Sequence, residues 1–99
     1  MNKKDLSEIN MYELSDFFKV MGDSTRLKIL LALQEGDKNV TKLCDITGMN
    51  ISAVSHQLRV LKQADLIRYK KEGKSVIYTL ADDHINSLLE IGLDHITEI

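Results

Sequence analysis

The hydrophobic period of this chain changes twice, and the order of those changes constrains the fold more than any other feature. Up to Leu66 the apolar residues recur at the three-to-four-residue interval of a helix; over residues 66–80 they alternate; from Asp82 the helical interval returns. Leu6, Ile9, Leu14, Phe17, Phe18 and Met21 predict a first helix over residues 5–21, ended by Gly22. Asp23 offers an N-cap oxygen to a second helix, whose inward set is Leu27, Leu30, Leu31 and Leu33 and which Gly36 closes. A short third helix over residues 40–47, with Val40, Leu43 and Ile46 inward, stops at Gly48. The turn Gly48-Met49-Asn50 leads into a fourth helix over residues 51–64, with Ile51, Val54, Leu58 and Leu61 inward. Residues 66–71 and 75–80 then read as two strands joined at Glu72-Gly73-Lys74, and residues 82–99 as a last helix.

Helix, glycine-bearing turn, helix, then hairpin is the order of a winged helix-turn-helix. The expected fold is mainly α with a small β-hairpin (α+β), in the order α-α-α-α-β-β-α. It forms one domain over residues 1–99, with the helix-turn-helix at 40–64, the wing at 66–80 and a pairing helix at 82–99. A chain of 99 residues buries only about 60–65% of its unfolded surface, so a partner chain is expected. No apolar run approaches membrane-spanning length, and the first residues lack the apolar core of a secretion signal. The single cysteine, Cys44, excludes an internal disulfide framework. The expected compartment is the cytoplasm.

A formal net charge of −2 argues at first against a nucleic-acid partner. The distribution reverses that argument. Residues 49–75 carry Arg59, Lys62, Arg68, Lys70, Lys71 and Lys74 against Asp65 and Glu72, a balance of +4. Residues 76–99 carry Asp82, Asp83, Glu90, Asp94 and Glu98 and no Lys or Arg, a balance of −5. The cationic block coincides with the fourth helix and the hairpin. On that helix Ser52, Ser55, His56 and Arg59 share the face opposite the apolar one, with Gln57 and Lys62 beside them. Short hydroxyls allow close approach to a major groove, while Arg59 or Gln57 can reach base edges or phosphates. Lys70, Lys71 and Lys74 at the hairpin can follow the backbone or a minor groove. A solvated helix face and a lysine-protected strand edge are the plain alternatives; their coincidence with a helix-turn-helix favours double-stranded DNA.

The last helix carries His84 and His95, eleven residues apart and so on one face. Asp82 adjoins the first and Glu98 lies one turn beyond the second. Two imidazoles and two carboxylates suit tetrahedral zinc or cobalt. Eleven residues of helix span roughly 16 Å, so one chain cannot bring both histidines to one ion. An antiparallel second copy can, because His84, Leu88, Ile91, His95 and Glu98 form a heptad-like stripe in which His84 faces His95 and Leu88 faces Ile91. Ile85, Leu89, Leu93 and Ile96 are left to pack on the first helix. Spacing alone leaves a second possibility, a plain dimer seam whose first-turn carboxylates serve the helix dipole.

The stretch Met21-Gly22-Asp23-Ser24-Thr25-Arg26-Leu27-Lys28-Ile29-Leu30 resembles the second helix of the ArsR/SmtB family of metal-sensing winged-helix repressors, with Ser24 where that family usually has proline. Ser52-Ala53-Val54-Ser55-His56-Gln57-Leu58 is similar to its recognition helix, and residues 73–80 to its wing. Asp82-x-His84 followed by His95-x-x-Glu98 resembles the C-terminal-helix site of its SmtB-like zinc sensors. The resemblance implies a homodimer in which Asp82 and His84 of one subunit join His95 and Glu98 of the other on zinc, with cobalt as its stand-in. The family's thiolate branch has cysteines at the start of the third helix; residues 37–41 have none, and Cys44 reads as a small buried apolar residue. The implied function is a repressor whose apo dimer holds an inverted-repeat operator and releases it on binding zinc, freeing metal efflux or sequestration genes. Four protein ligands leave no open coordination position, so no enzyme activity and no small-molecule substrate are expected. A winged-helix repressor that responds instead to oxidation of Cys44 is the alternative.

Overall fold

The computed structural model describes residues 10–98, and its elements follow the expected order: α1 (Met11–Met21), α2 (Ser24–Gln34), α3 (Val40–Thr47), α4 (Ile51–Gln63), β1 (Ile67–Glu72), β2 (Ser75–Leu80) and α5 (Asp83–Thr97). Each helix begins at a side-chain cap. Asn10, Asp23, Asn39, Asn50 and Asp82 all take extended backbone and accept from amides of the first turn, which satisfies donors that have no partner inside the helix. Asn10 corrects the expected start of the first helix. With an extended φ of −77° and ψ of 101° it caps α1 at Met11, and Leu6 and Ile9 lie outside the described residues.

α2 is the hub of the fold. It touches α1, α3, α4 and β2, and it buries Ile29, Leu30, Ala32 and Leu33. A helix covered on several sides loses the single apolar stripe that periodicity detects. That is why Ile29 was not in the expected inward set and why Leu27 and Leu31 are only half-buried. Around it, Leu43, Val54, Leu61, Leu66 and Ile67 complete the wholly buried core.

The helix-turn-helix is built by short-range chemistry. Gly48 takes the left-handed conformation at φ 73° and its N–H donates to the Cys44 carbonyl, closing α3. Asn50 then accepts from the Ala53 amide at 2.8 Å and opens α4. α4 ends in a second left-handed residue, Asp65 at φ 59°. The Asp65 amide donates to the Lys62 carbonyl and the Leu66 amide to the Leu61 carbonyl, both at 3.0 Å, with Leu61 and Leu66 buried beside the turn. This is a Schellman closure with aspartate where glycine is usual.

The hairpin pairs Ile67 with Leu80 through to Glu72 with Ser75. Of its two turn residues only Gly73, at φ 61°, has positive φ, the pattern of a II′ turn. The structure adds a contact that periodicity did not indicate. Lys38, just before α3, pairs with Tyr78 through both backbone bonds, at 3.1 and 2.8 Å, and gives the wing a third edge.

Several expected inward residues stand outside. Ile46 is 46% exposed and Ile51 63% exposed, although α3 meets α2, α4 and β2, and α4 meets α1, α2, α3 and β1. Cys44 is half-buried rather than buried. Ile85 and Leu89 are buried, with α5 packed on β2. The expectation that these two, with Leu93 and Ile96, pack on the first helix is corrected: α5 meets chiefly β2, and Leu93 and Ile96 stand open. Both are exposed, at 42% and 69%, and with Met21, Leu27, Leu31, Leu88 and Gly92 they line an open apolar groove of about 180 Å³. No helix among the described residues is long and apolar enough to cross a membrane.

Candidate nucleic-acid interface and metal ligands

α4 presents Ser52, His56 and Arg59 to solvent, with Ser55 half-buried at the edge of the same face. Together with Ile51 they line a shallow hollow of about 320 Å³. The exposed Ile51 therefore belongs to this face. Its position in the apolar series pointed inward, but at the first turn of α4 it is 63% exposed.

A second cleft, of about 180 Å³, runs between α4 and the wing, lined by Ser55, Leu58, Arg59, Lys62 and Tyr78. The Lys62 ammonium lies 4.8 Å above the Tyr69 ring, a cation–π contact that ties α4 to β1. Tyr78, missed by sequence reasoning, lines the cleft with its N–H and carbonyl both bonded to Lys38 and its ring 6.0 Å from that of Tyr69 across the hairpin. On β1 successive side chains face opposite ways. Lys71 thus shares the Tyr69 face that meets Lys62, while Arg68 and Lys70 share the other. Lys70 pairs with Glu72 at 3.3 Å, and Lys74 is exposed at the turn.

Gln57 departs from the expected arrangement. It lies roughly 140° around the helix axis from Ser52, at 100° per residue, and is half-buried. Its Oε1 accepts from Arg26 Nη1 at 3.2 Å. Arg26, on α2, also donates through Nε to the Val20 carbonyl at 2.7 Å. The motif that carries the family resemblance contains Arg26, but nothing in its spacing signals a contact thirty-one positions away.

At the start of α5, Asp82 and His84 come together, with Asp82 Oδ1 3.5 Å from His84 Nδ1. The same Oδ1 accepts from the His84 and Ile85 amides at 2.9 and 3.2 Å, which fixes the carboxylate; Oδ2 takes no part in the cap. The His84 side chain is 93% exposed. His95 and Glu98 are exposed at the other end of α5. Among the described residues of one chain, no three His, Cys, Asp or Glu side chains are grouped closely enough to hold an ion. Asp82 and His84 fit one half of an N/O-donor site, free to meet ligands from outside the chain.

The family of bacterial regulatory proteins named for arsR matches residues 23–69. The chain is 38% identical over 98 residues to a cadmium resistance transcriptional regulatory protein, a CadC homolog of Staphylococcus aureus, covering 98% of this chain and 81% of that one. It is 36% identical over 86 residues to the transcriptional repressor SmtB homolog of Synechocystis, covering 87% of this chain and 65% of that one. The solution structure of apo-NmtR superposes with a TM-score of 0.79 at 30% identity, covering 100% of this chain and 87% of that one. These relatives are transcriptional regulators, not enzymes. With such similarity over nearly its whole length, the chain belongs to the ArsR/SmtB family of metal-sensing winged-helix transcriptional repressors.

Proposed function

We propose that this chain is a zinc-responsive repressor that works as a homodimer in the cytoplasm. The observation that carries the reading is the layout of α5. An exposed Asp82–His84 pair stands at one end and exposed His95 and Glu98 at the other. Between them Ile91 is 64% exposed and Leu88 half-buried. An apolar stripe with half a donor set at each end is what two antiparallel copies need. Asp82 and His84 of one protomer, with His95 and Glu98 of its partner, hold zinc, for which nitrogen and oxygen donors are suited, or cobalt. The names of the relatives point to several metals. Here the start of α3 lacks thiols, which favours the α5 donors.

The same pairing places two α4 helices about one two-fold axis, the arrangement that reads an inverted repeat in successive major grooves. Ser52, Ser55, His56 and Arg59 face base edges, and Ile51 offers an apolar contact of the kind a thymine methyl takes. Lys62, Lys70, Lys71 and Lys74 supply phosphate contacts. The bound ion supplies a cross-link between protomers. Fixing the angle of the α5 pair fixes the spacing of the α4 pair, and the metal-loaded spacing fits the operator less well. Operator DNA then weakens zinc binding by the factor by which zinc weakens DNA binding. The regulated genes are those of metal efflux or sequestration.

A gel shift on the DNA upstream of the chain's own coding region tests this. Zinc should release the wild-type protein and a chelator restore the complex. His84→Ala and His95→Ala should bind that DNA within about twofold of wild type, as expected for changes on a distant helix, and ignore zinc. A normal zinc response in both variants would remove the α5 site from the mechanism.

A further inference from the structure

The Val20 carbonyl lies in the last turn of α1, where carbonyls have no partner further along the helix. Arg26 Nε supplies one at 2.7 Å, and Nη1 of the same guanidinium donates to Gln57 Oε1 at 3.2 Å; both contacts are partly buried. A guanidinium is flat, always charged and rigid. Two bonds from one such fork hold the end of α1 and the side of α4 in a set relation. The Arg26 backbone is itself pinned, its amide donating to Asp23 Oδ2 at 3.1 Å. Three helices meet at this one side chain.

We infer that Arg26 is a positioning residue for DNA recognition and that Gln57 is its strut rather than a reader of bases. The pair sets the roll of α4 about its own axis, and so the direction in which Ser52, His56 and Arg59 leave the helix. Because the fork's other bond is to α1, whose Met11, Tyr12, Leu14 and Phe18 are exposed apolar residues, it also connects an uncovered face of the molecule with the DNA-reading face. This rests on the DNA-binding reading above. It assigns Gln57 a role different from that of its neighbours on α4.

Two measurements test it. The first is a double-mutant cycle in thermal denaturation with Arg26→Ala, Gln57→Ala and both. Non-additive losses are expected, and additive ones overturn the link itself. Where Arg26→Ala does not fold, Arg26→Lys, which keeps the charge and loses the fork, takes its place. The second is fluorescence anisotropy with a duplex from the chain's own upstream region and a scrambled duplex of equal length. Each single variant should lower the preference for the upstream duplex about tenfold, roughly the effect of one mismatched base pair, and the double variant should lower it no further. Gln57→Glu keeps an acceptor for Arg26 and should retain the preference. If Gln57→Glu loses as much as Gln57→Ala, or the double loss is the product of the singles, the positioning role is wrong. A wild type that does not distinguish the duplexes overturns the repressor reading and the positioning role with it, whatever the denaturation cycle shows.

Discussion

Ile51 and Leu43 belong to the same kind of apolar series, yet the fold uses them in opposite ways. Leu43 is wholly buried and Ile51 is 63% exposed beside Ser52 and His56. Leu43→Ala should cost about 2–5 kcal/mol, because it leaves a cavity in the core where α3 packs on α2 and α4. Ile51→Ala should change stability by no more than about 0.5 kcal/mol and weaken binding to the upstream DNA. Paired denaturant melts and anisotropy titrations check both. Arg59 separates the two activities from the other direction. Arg59→Ala should lower DNA affinity, by about tenfold if it meets a base edge, while zinc stoichiometry measured on the free protein stays at the wild-type value.

The turns between elements were the most legible part of the sequence, because their chemistry is local. Gly48 and Asn50 mark the ends of α3 and α4 by the conformation each favours, and Gly73 does the same for the wing. Less legible were features decided by distant neighbours. The burial of Ile29 follows from four elements packing around α2. The Lys38–Tyr78 pairing joins segments forty residues apart, and the Arg26–Gln57 contact joins helices thirty-one residues apart. The exposed polar stripe of α4 could be read from spacing, whereas the withdrawal of Gln57 from it goes with its bond to Arg26. The Schellman turn after α4 gives a prediction at this scale. Asp65 has φ of 59° and places a negative charge at the negative end of the helix dipole. Asp65→Gly removes both penalties and should raise stability by about 1 kcal/mol. A fall in the denaturation midpoint would contradict this account of the turn.

At the scale of the whole molecule, the exposed apolar residues fall chiefly on α1 and α5, and the basic ones on α4 and the wing. Leu93 and Ile96 line an apolar groove with Met21 at the end of α1 and Leu27 and Leu31 of α2, and both stay exposed. The eleven-residue interval between His84 and His95 was visible in the sequence, and for one ion to meet both histidines it calls for two chains; one chain carries half of each proposed site. Metal binding across two chains is the central claim, and mixing two inactive chains tests it. His84→Ala and His95→Ala homodimers, each spoiled at both sites, should bind no zinc. A heterodimer of one His84→Ala chain and one His95→Ala chain, isolated through two different affinity tags, keeps one complete site. It should bind one zinc ion per dimer, half the wild-type stoichiometry, as read by native mass spectrometry. A heterodimer that binds no zinc would contradict a site shared between two antiparallel α5 helices.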